Sequence, residues 1–345
     1  MYSVIMMHSL CLAALLATAA ADGLPPIISV APDAPASDKH AAEELKVWLS
    51  RMCPDVPFKV GPPAQGAANQ IIVGPDAALS LGLPAASLAG LGNESYYLNL
   101  FTPPFAGSMV LSGGNRSTRG TLYAVYHLLT DAFSYDFLAH DETVVPACPD
   151  YVPHYEITDS PSFEYRDDNQ WQVSTQSEWA TRVGYNGPSS AQPDAKGGHL
   201  VYATPPGFVH TSYALLAYPE RLPPTAGGPP AQLYAAHPEW FWPRGAKGGS
   251  TYGQLCWSNA SLVAFVTAQA RAILRAQPDA SILSVSQNDN GNRCLDPAEE
   301  AVNRQAGSPI GALLIAVNTI AEALESEFPR PPYGGGSNRG PLGSD

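Results

Sequence analysis

Four prolines, Pro146, Pro149, Pro153 and Pro161, fall within sixteen residues and cut the chain into two differently patterned stretches. Proline fixes φ and has no backbone N–H, so neither a helix nor a central strand runs through such a stretch. Residues 147–162 therefore read as a linker, and each side must build its own core. The chain has 345 residues, which at about 150 residues per domain allows two domains.

On the amino-terminal side, residues 26–146 alternate strand and helix signals. Ile27-Ile28-Ser29-Val30 and Gln70-Ile71-Ile72-Val73 read as buried strands. Between them, Ser37-Asp38 offers an N-cap for a helix through Leu49, with Ala41, Leu45 and Leu49 near one face. Residues 94–101 and 108–112 read as a strand pair, and the turn from Gly113 to Ser117 feeds a helix over 119–133. Such a turn can bind an anion, but an ordinary βα turn is the simpler reading. Thr143-Val144-Val145 closes a small α/β sandwich, the domain assigned to 22–150.

On the other side, strand candidates recur at 163–167, 199–203, 253–257 and 281–288, with helices near 175–183, 261–276 and 308–327. This order suggests parallel βα units with right-handed crossovers, with residues 204–250 as an oversized Pro/Gly-rich βα loop. Glu299 and Glu300 fit an acidic helix start. From Pro161 to Asp345 there are 185 residues, whereas a complete (β/α)₈ barrel takes about 250. About four βα units fit. The fold class is α/β throughout, with a partial barrel-like domain over 151–330. Residues 331–345 (PPYGGGSNRGPLGSD) have no core-forming pattern and read as a disordered tail.

Residues 9–21, SLCLAALLATAAA, match a signal-peptide apolar region in length and are too short to span a bilayer. Small residues from Ala17 to Ala21 provide cleavage sites, so the mature chain starts near Asp22 and is secreted. The segment before this region carries no Lys or Arg, so a buried first helix is the alternative. Sequons at Asn93, Asn115 and Asn259 agree with secretion. Cleavage removes Cys11 and leaves Cys53, Cys148, Cys256 and Cys294, for which three pairings exist. Cys256–Cys294 and Cys53–Cys148 are preferred, because each lies within one proposed domain. The spacings fit no zinc ribbon, and no metal or other cofactor is expected.

Acidic residues outnumber basic ones by 31 to 18, a net charge of −13. That excludes a phosphate-neutralising nucleic-acid binder and a polybasic membrane-surface protein. The sequence leaves oligomeric state open. Motifs of serine hydrolases, zinc proteases and nucleotide-binding loops are missing.

Chemistry-bearing residues cluster at the proposed strand ends, where parallel βα folds place their sites. Arg166, Asp168 and Trp171 follow the first strand. Trp257 follows the third, and Gln287, Asn288 and Asp289 follow the fourth. His210 and His237 stand in the long insert. A carboxylate among amides, arginine and indoles suits a carbohydrate: the carboxylate supplies acid or base, amides and Arg bond hydroxyls, and indoles stack on ring faces. Each residue also has a plainer reading: Asp289 as a turn residue, Asp168 as solvated loop charge, the histidines as structural, and 237–242 as loop packing.

Arg119-Gly120-Thr121-Leu122-Tyr123-Ala124-Val125-Tyr126, with Phe137-Leu138-Ala139 and Glu142-Thr143-Val144-Val145-Pro146, resembles the N-terminal α/β domain of family 67 alpha-glucuronidases. Related domains precede the barrel in family 20 hexosaminidases. Five further segments resemble a secreted domain of unknown function, family 4838, expected to be a glycosidase-like barrel. They are Phe163-Glu164-Tyr165-Arg166, Gly207-Phe208-Val209-His210-Thr211, His237-Pro238-Glu239-Trp240-Phe241, Gln254-Leu255-Cys256 and Ser284-Val285-Ser286-Gln287-Asn288-Asp289. The resemblance implies a secreted glycoside hydrolase with Asp289 as general acid and Arg166 touching substrate. Family 67 enzymes invert, which implies a base on a later strand. The alternatives are a non-catalytic carbohydrate-binding protein and an inactive fragment.

Overall fold

The computed structural model describes residues 23–65, 69–115, 117–190, 193–220, 229–243 and 253–329. The expected signal peptide (1–21) and tail (331–345), parts of the 204–250 insert, and Arg116 within the Asn115 sequon lie outside the described residues. The chain divides into two compact units between His199 and Leu200.

The first unit is built on a six-stranded mixed sheet. Its strands are β1 (Ile27–Val30), β2 (Lys59–Gly61), β3 (Gln70–Val73), β4 (Tyr96–Leu100), β5 (Met109–Gly113) and β6 (Tyr155–Asp159). They lie in the order β2-β1-β3-β5-β4-β6. The first four in that order are mutually parallel, while β4 runs antiparallel to both β5 and β6. Strands covered on both faces read as mainly apolar runs, as β1 and β3 do apart from Ser29 and Gln70. Their side chains alternate between two cores. Ile71 and Val73 join helices α1 (Ala36–Met52) and α3 (Gly120–His127) through Leu45, Leu49 and Leu122. Ile72 and Val110 point the other way, onto Ala77 and Ala78 of α2 (Pro75–Ser80). Burying each large aliphatic side chain contributes about 1.5–3 kcal/mol.

The stretch read as a linker contributes β6. Tyr155 and Ile157 are partly buried against the main core, while Glu156, Thr158 and Asp159 lie toward solvent. A short, polar-sided strand is what the edge of a sheet tolerates, and the flanking prolines stop it from extending. Ahead of it, Cys148 is bonded to Cys53 at the end of α1, with S–S 1.96 Å.

Asp38 lies in the first turn of α1, is 3 % exposed, and sits against Gly74 at the carboxyl end of β3. Gly74 has φ +88°, and a Cβ there would come within 2.8 Å of Asp38 Oδ2, so only glycine fits. Burial pushes the Asp38 carboxyl up to about 6, opposed by a hydrogen bond from Thr121 and assisted by the charge of Asp76.

The second unit is mainly helical. α8 (Ala260–Ala276) packs on α10 (Gly311–Glu325) through Leu262, Val266, Ala270 and Ile273 against Ala312, Ala316, Ile320 and Leu324. Asn259 caps α8, its side-chain oxygen accepting from the backbone N–H of Ser261 and Leu262. Asp296 caps α9 (Pro297–Gln305) in the same way.

Four parallel barrel strands are not formed among the described residues. β7 (Phe241–Trp242) and β8 (Gln254–Leu255) pair antiparallel. Residues 199–203 and 281–288 meet at one parallel bridge, Tyr202 with Ile282. Beyond that bridge, Ser284 and Ser286 engage Thr211, so local side-chain bonds replace the ladder. Residues 163–167 are irregular. The Arg166 carbonyl accepts from the N–H of Asn186 and of Gly187, and its own N–H donates to Asn186 Oδ1, which leaves nothing for a neighbouring strand.

Candidate active site

The second unit brings four of the expected residues together. Thr211, fully buried, donates its hydroxyl to the Ser284 carbonyl at 2.9 Å and accepts from the Ser286 N–H at 3.0 Å. Next to it, Ser212 donates to the Ser286 carbonyl from its N–H at 3.0 Å and its hydroxyl at 2.7 Å. These bonds align His210 with Gln287 and Asp289. His210 Nδ1 lies 3.3 Å from the Gln287 carbonyl, and Nε2 lies 3.8 Å from Asp289 Oδ2. The His210 side chain is 48 % exposed and that of Asp289 86 %, so both stay open to a ligand. His210 has φ +57°, a left-handed conformation that costs a non-glycine residue about 1–3 kcal/mol and collects at functional positions.

The loop carrying Asp289 is held from below by amides. Gln254 Nε2 donates to the Asn288 carbonyl at 2.9 Å and to Asn290 Oδ1 at 3.0 Å, while its Oε1 accepts from the Asn288 N–H at 3.1 Å. Buried Asn288 donates Nδ2 to the Gly253 carbonyl at 2.8 Å. Its amide also bonds Tyr213, whose hydroxyl burial pushes up to about 12. A Cβ on Gly253 would come within 2.4 Å of that hydroxyl, so the approach requires glycine. The Cys256–Cys294 disulfide, S–S 2.07 Å, closes the loop from its other end. Both preferred cysteine pairings are therefore present.

Other expected residues of this unit serve differently. Trp257 is 4 % exposed in the hydrophobic core, so its indole face is not offered to solvent. His237 stacks on Trp240 with ring centroids 4.0 Å apart, its Nδ1 lying 3.2 Å from Glu239. Glu299, in the first turn of α9, is buried and accepts from the Ser258 N–H at 2.6 Å. Burial pushes its carboxyl up, and it fixes the turn after β8. Tyr213 and Gly253 carry no sequence signal that singles them out. Gln254 and Asn290 were legible only as polar strand ends.

Arg166, Asp168 and Trp171 belong to the first unit. Arg166 donates to the carbonyls of Gly184 and Phe163 and to the Tyr123 hydroxyl, and it lies 2.9 Å from Glu94 Oε2. Glu94 is 1 % exposed and also lies 2.8 Å from Arg119 Nε, with Asn186 Nδ2 donating to it at 2.9 Å. Arg166 thus neutralises a buried carboxylate. Asp168 accepts from the Gln170 N–H and the Tyr185 hydroxyl, each at 2.8 Å. Trp171 stands 61 % exposed at the start of the helix Trp171–Thr175.

Asn93 is exposed, and its Oδ1 accepts from the N–H and hydroxyl of Thr118. Asn93 and Asn259 therefore use their side-chain oxygens in the fold. Among the described residues, no helix is long and apolar enough to cross a membrane.

None of the curated proteins compared with the chain matches it. The profile of the family described as Domain of unknown function (DUF4838) matches residues 137–331, more than half of the chain, and the chain belongs to that family.

Proposed function

We propose that the protein is a secreted, carbohydrate-acting protein of glycoside-hydrolase type, with Asp289 as its general acid. The observation that carries this reading is an exposed carboxylate on an amide-anchored loop, 3.8 Å from a histidine held in a left-handed conformation. A proton donor to a glycosidic oxygen is a carboxyl that the substrate can reach, and the Asp289 side chain is open to one. His210 and the neighbouring amides supply donors and acceptors for sugar hydroxyls. The resemblance of residues 119–146 to the N-terminal domain of family 67 alpha-glucuronidases supports an alpha-glucuronidase-like substrate. The two disulfides support an oxidising, extracellular compartment. The deciding experiment is release of product from aldouronic acids and aryl-glycosides by the pure protein and by Asp289→Asn.

A second reading is sugar binding without hydrolysis, and four of the other carboxylates of the second unit favour it. Glu239 pairs with His237, Glu299 holds the Ser258 N–H, Glu300 pairs with Arg293, and Glu327 pairs with Arg271 and Arg275. Each is committed to a structural partner, whereas hydrolysis uses a second carboxylate. Glycan binding with no product release identifies this case.

A further inference from the structure

All six tryptophans of the chain lie among the described residues, and five are partly or fully buried. Trp48, Trp240 and Trp257 are no more than 4 % exposed, whereas Trp171 is 61 % exposed. Leaving an indole in water forgoes the favourable burial of its apolar surface, so its placement calls for a reason. The side chain is nonetheless positioned. Val173, 1 % exposed, anchors the short helix, and the Trp171 carbonyl accepts from the hydroxyls of Ser174 at 3.2 Å and Thr175 at 2.7 Å. The His140 ring meets the indole edge-on, with centroids 5.6 Å apart at 80°. At 61 % exposure the Trp171 side chain keeps most of its surface open to a ligand.

The surroundings select the ligand. His140 Nδ1 lies 3.5 Å from Asp141 Oδ1, and the Asp141 side chain is 74 % exposed. An imidazole and a carboxylate beside a flat apolar ring match a pyranose, which has one apolar C–H face and a rim of hydroxyls. The net charge of −13 disfavours anionic membranes and polyanionic glycans. We propose that the first unit binds a neutral oligosaccharide on Trp171, one pyranose stacking on the indole while His140 and Asp141 hydrogen-bond its hydroxyls. This site stands independently of any hydrolytic role of Asp289.

The test is fluorescence and calorimetric titration of the full chain with cellohexaose, xylohexaose and chitohexaose. At least one hexaose is expected to bind and perturb tryptophan emission. Trp171→Ala is expected to weaken that binding at least tenfold, with thermal unfolding unchanged because the indole is exposed, and His140→Ala is expected to weaken it several-fold. Asp289→Asn is expected to leave it unchanged, which separates this proposal from the catalytic one. Binding that survives Trp171→Ala, or no binding of any of the three hexaoses, overturns it.

Discussion

His210 Nε2 and Asp289 Oδ2 lie 3.8 Å apart although 79 residues separate them in the chain. Thr211 is the link between them, because its buried hydroxyl satisfies Ser284 and Ser286 on the segment that leads to Asp289. Thr211→Val keeps the shape and removes both bonds, leaving a part-buried carbonyl and N–H without this partner, at a cost of up to about 1–3 kcal/mol. Chemical denaturation is expected to show that loss, and any activity that depends on the pair is expected to fall with it. Unchanged stability contradicts this role for Thr211.

The Cys256–Cys294 bridge closes a loop of 38 residues around the Asp289 segment. Chain-entropy arguments give such a bridge about 3–4 kcal/mol. Replacing both cysteines by serine is expected to lower the unfolding midpoint. It is also expected to speed amide exchange across residues 288–294 more than across α8.

Asp38 makes the first unit sensitive to pH. Its folded-state carboxyl stands at about 6 against an ordinary value of 3.8, so the folded state binds the proton more tightly than the unfolded one. Above pH 6 both states are ionised and the penalty is fully present; it is relieved as pH falls from 6 toward 4. The upper bound is about 3 kcal/mol. Asp38→Asn is expected to raise thermal stability at pH 7 and to flatten the pH dependence over that window, as read by calorimetry.

Glu94 is the centre of a buried cluster with Arg119 and Arg166. Glu94→Gln leaves two guanidinium groups without their counter-charge, and breaking such a pair from one side costs about 3–5 kcal/mol. The first unit is expected to unfold at markedly lower denaturant, with the second unit little affected. A neutral outcome in equilibrium denaturation contradicts a neutralising role for Arg166.

The legible parts of the fold were those that follow from periodicity. β1, β3 and the β4–β5 pair appear as short runs rich in apolar residues, and α1 and α8 as helical patterns. β6 was hidden because prolines flank a five-residue strand whose pairing partner, β4, lies 50 or more residues earlier. The barrel strands were over-read: Ser284 and Ser286 have strand-like spacing, but their hydroxyls and backbone bond Thr211 instead of a neighbouring strand. At the site, Gln287, Asn288 and Asp289 were legible as polar groups at one strand end, whereas His210 was legible only as a histidine of the long insert. Arg166 looked like a substrate ligand because nothing local reveals Glu94, which is brought to it across 72 residues of chain.

The most direct test of the central claim is product release from aldouronic acids and aryl-glycosides by wild-type protein and Asp289→Asn, side by side. The account predicts turnover by the wild type and a loss of about 10²–10⁴-fold in the variant, the range for a general acid. No turnover by the wild type, or equal turnover by both, contradicts it.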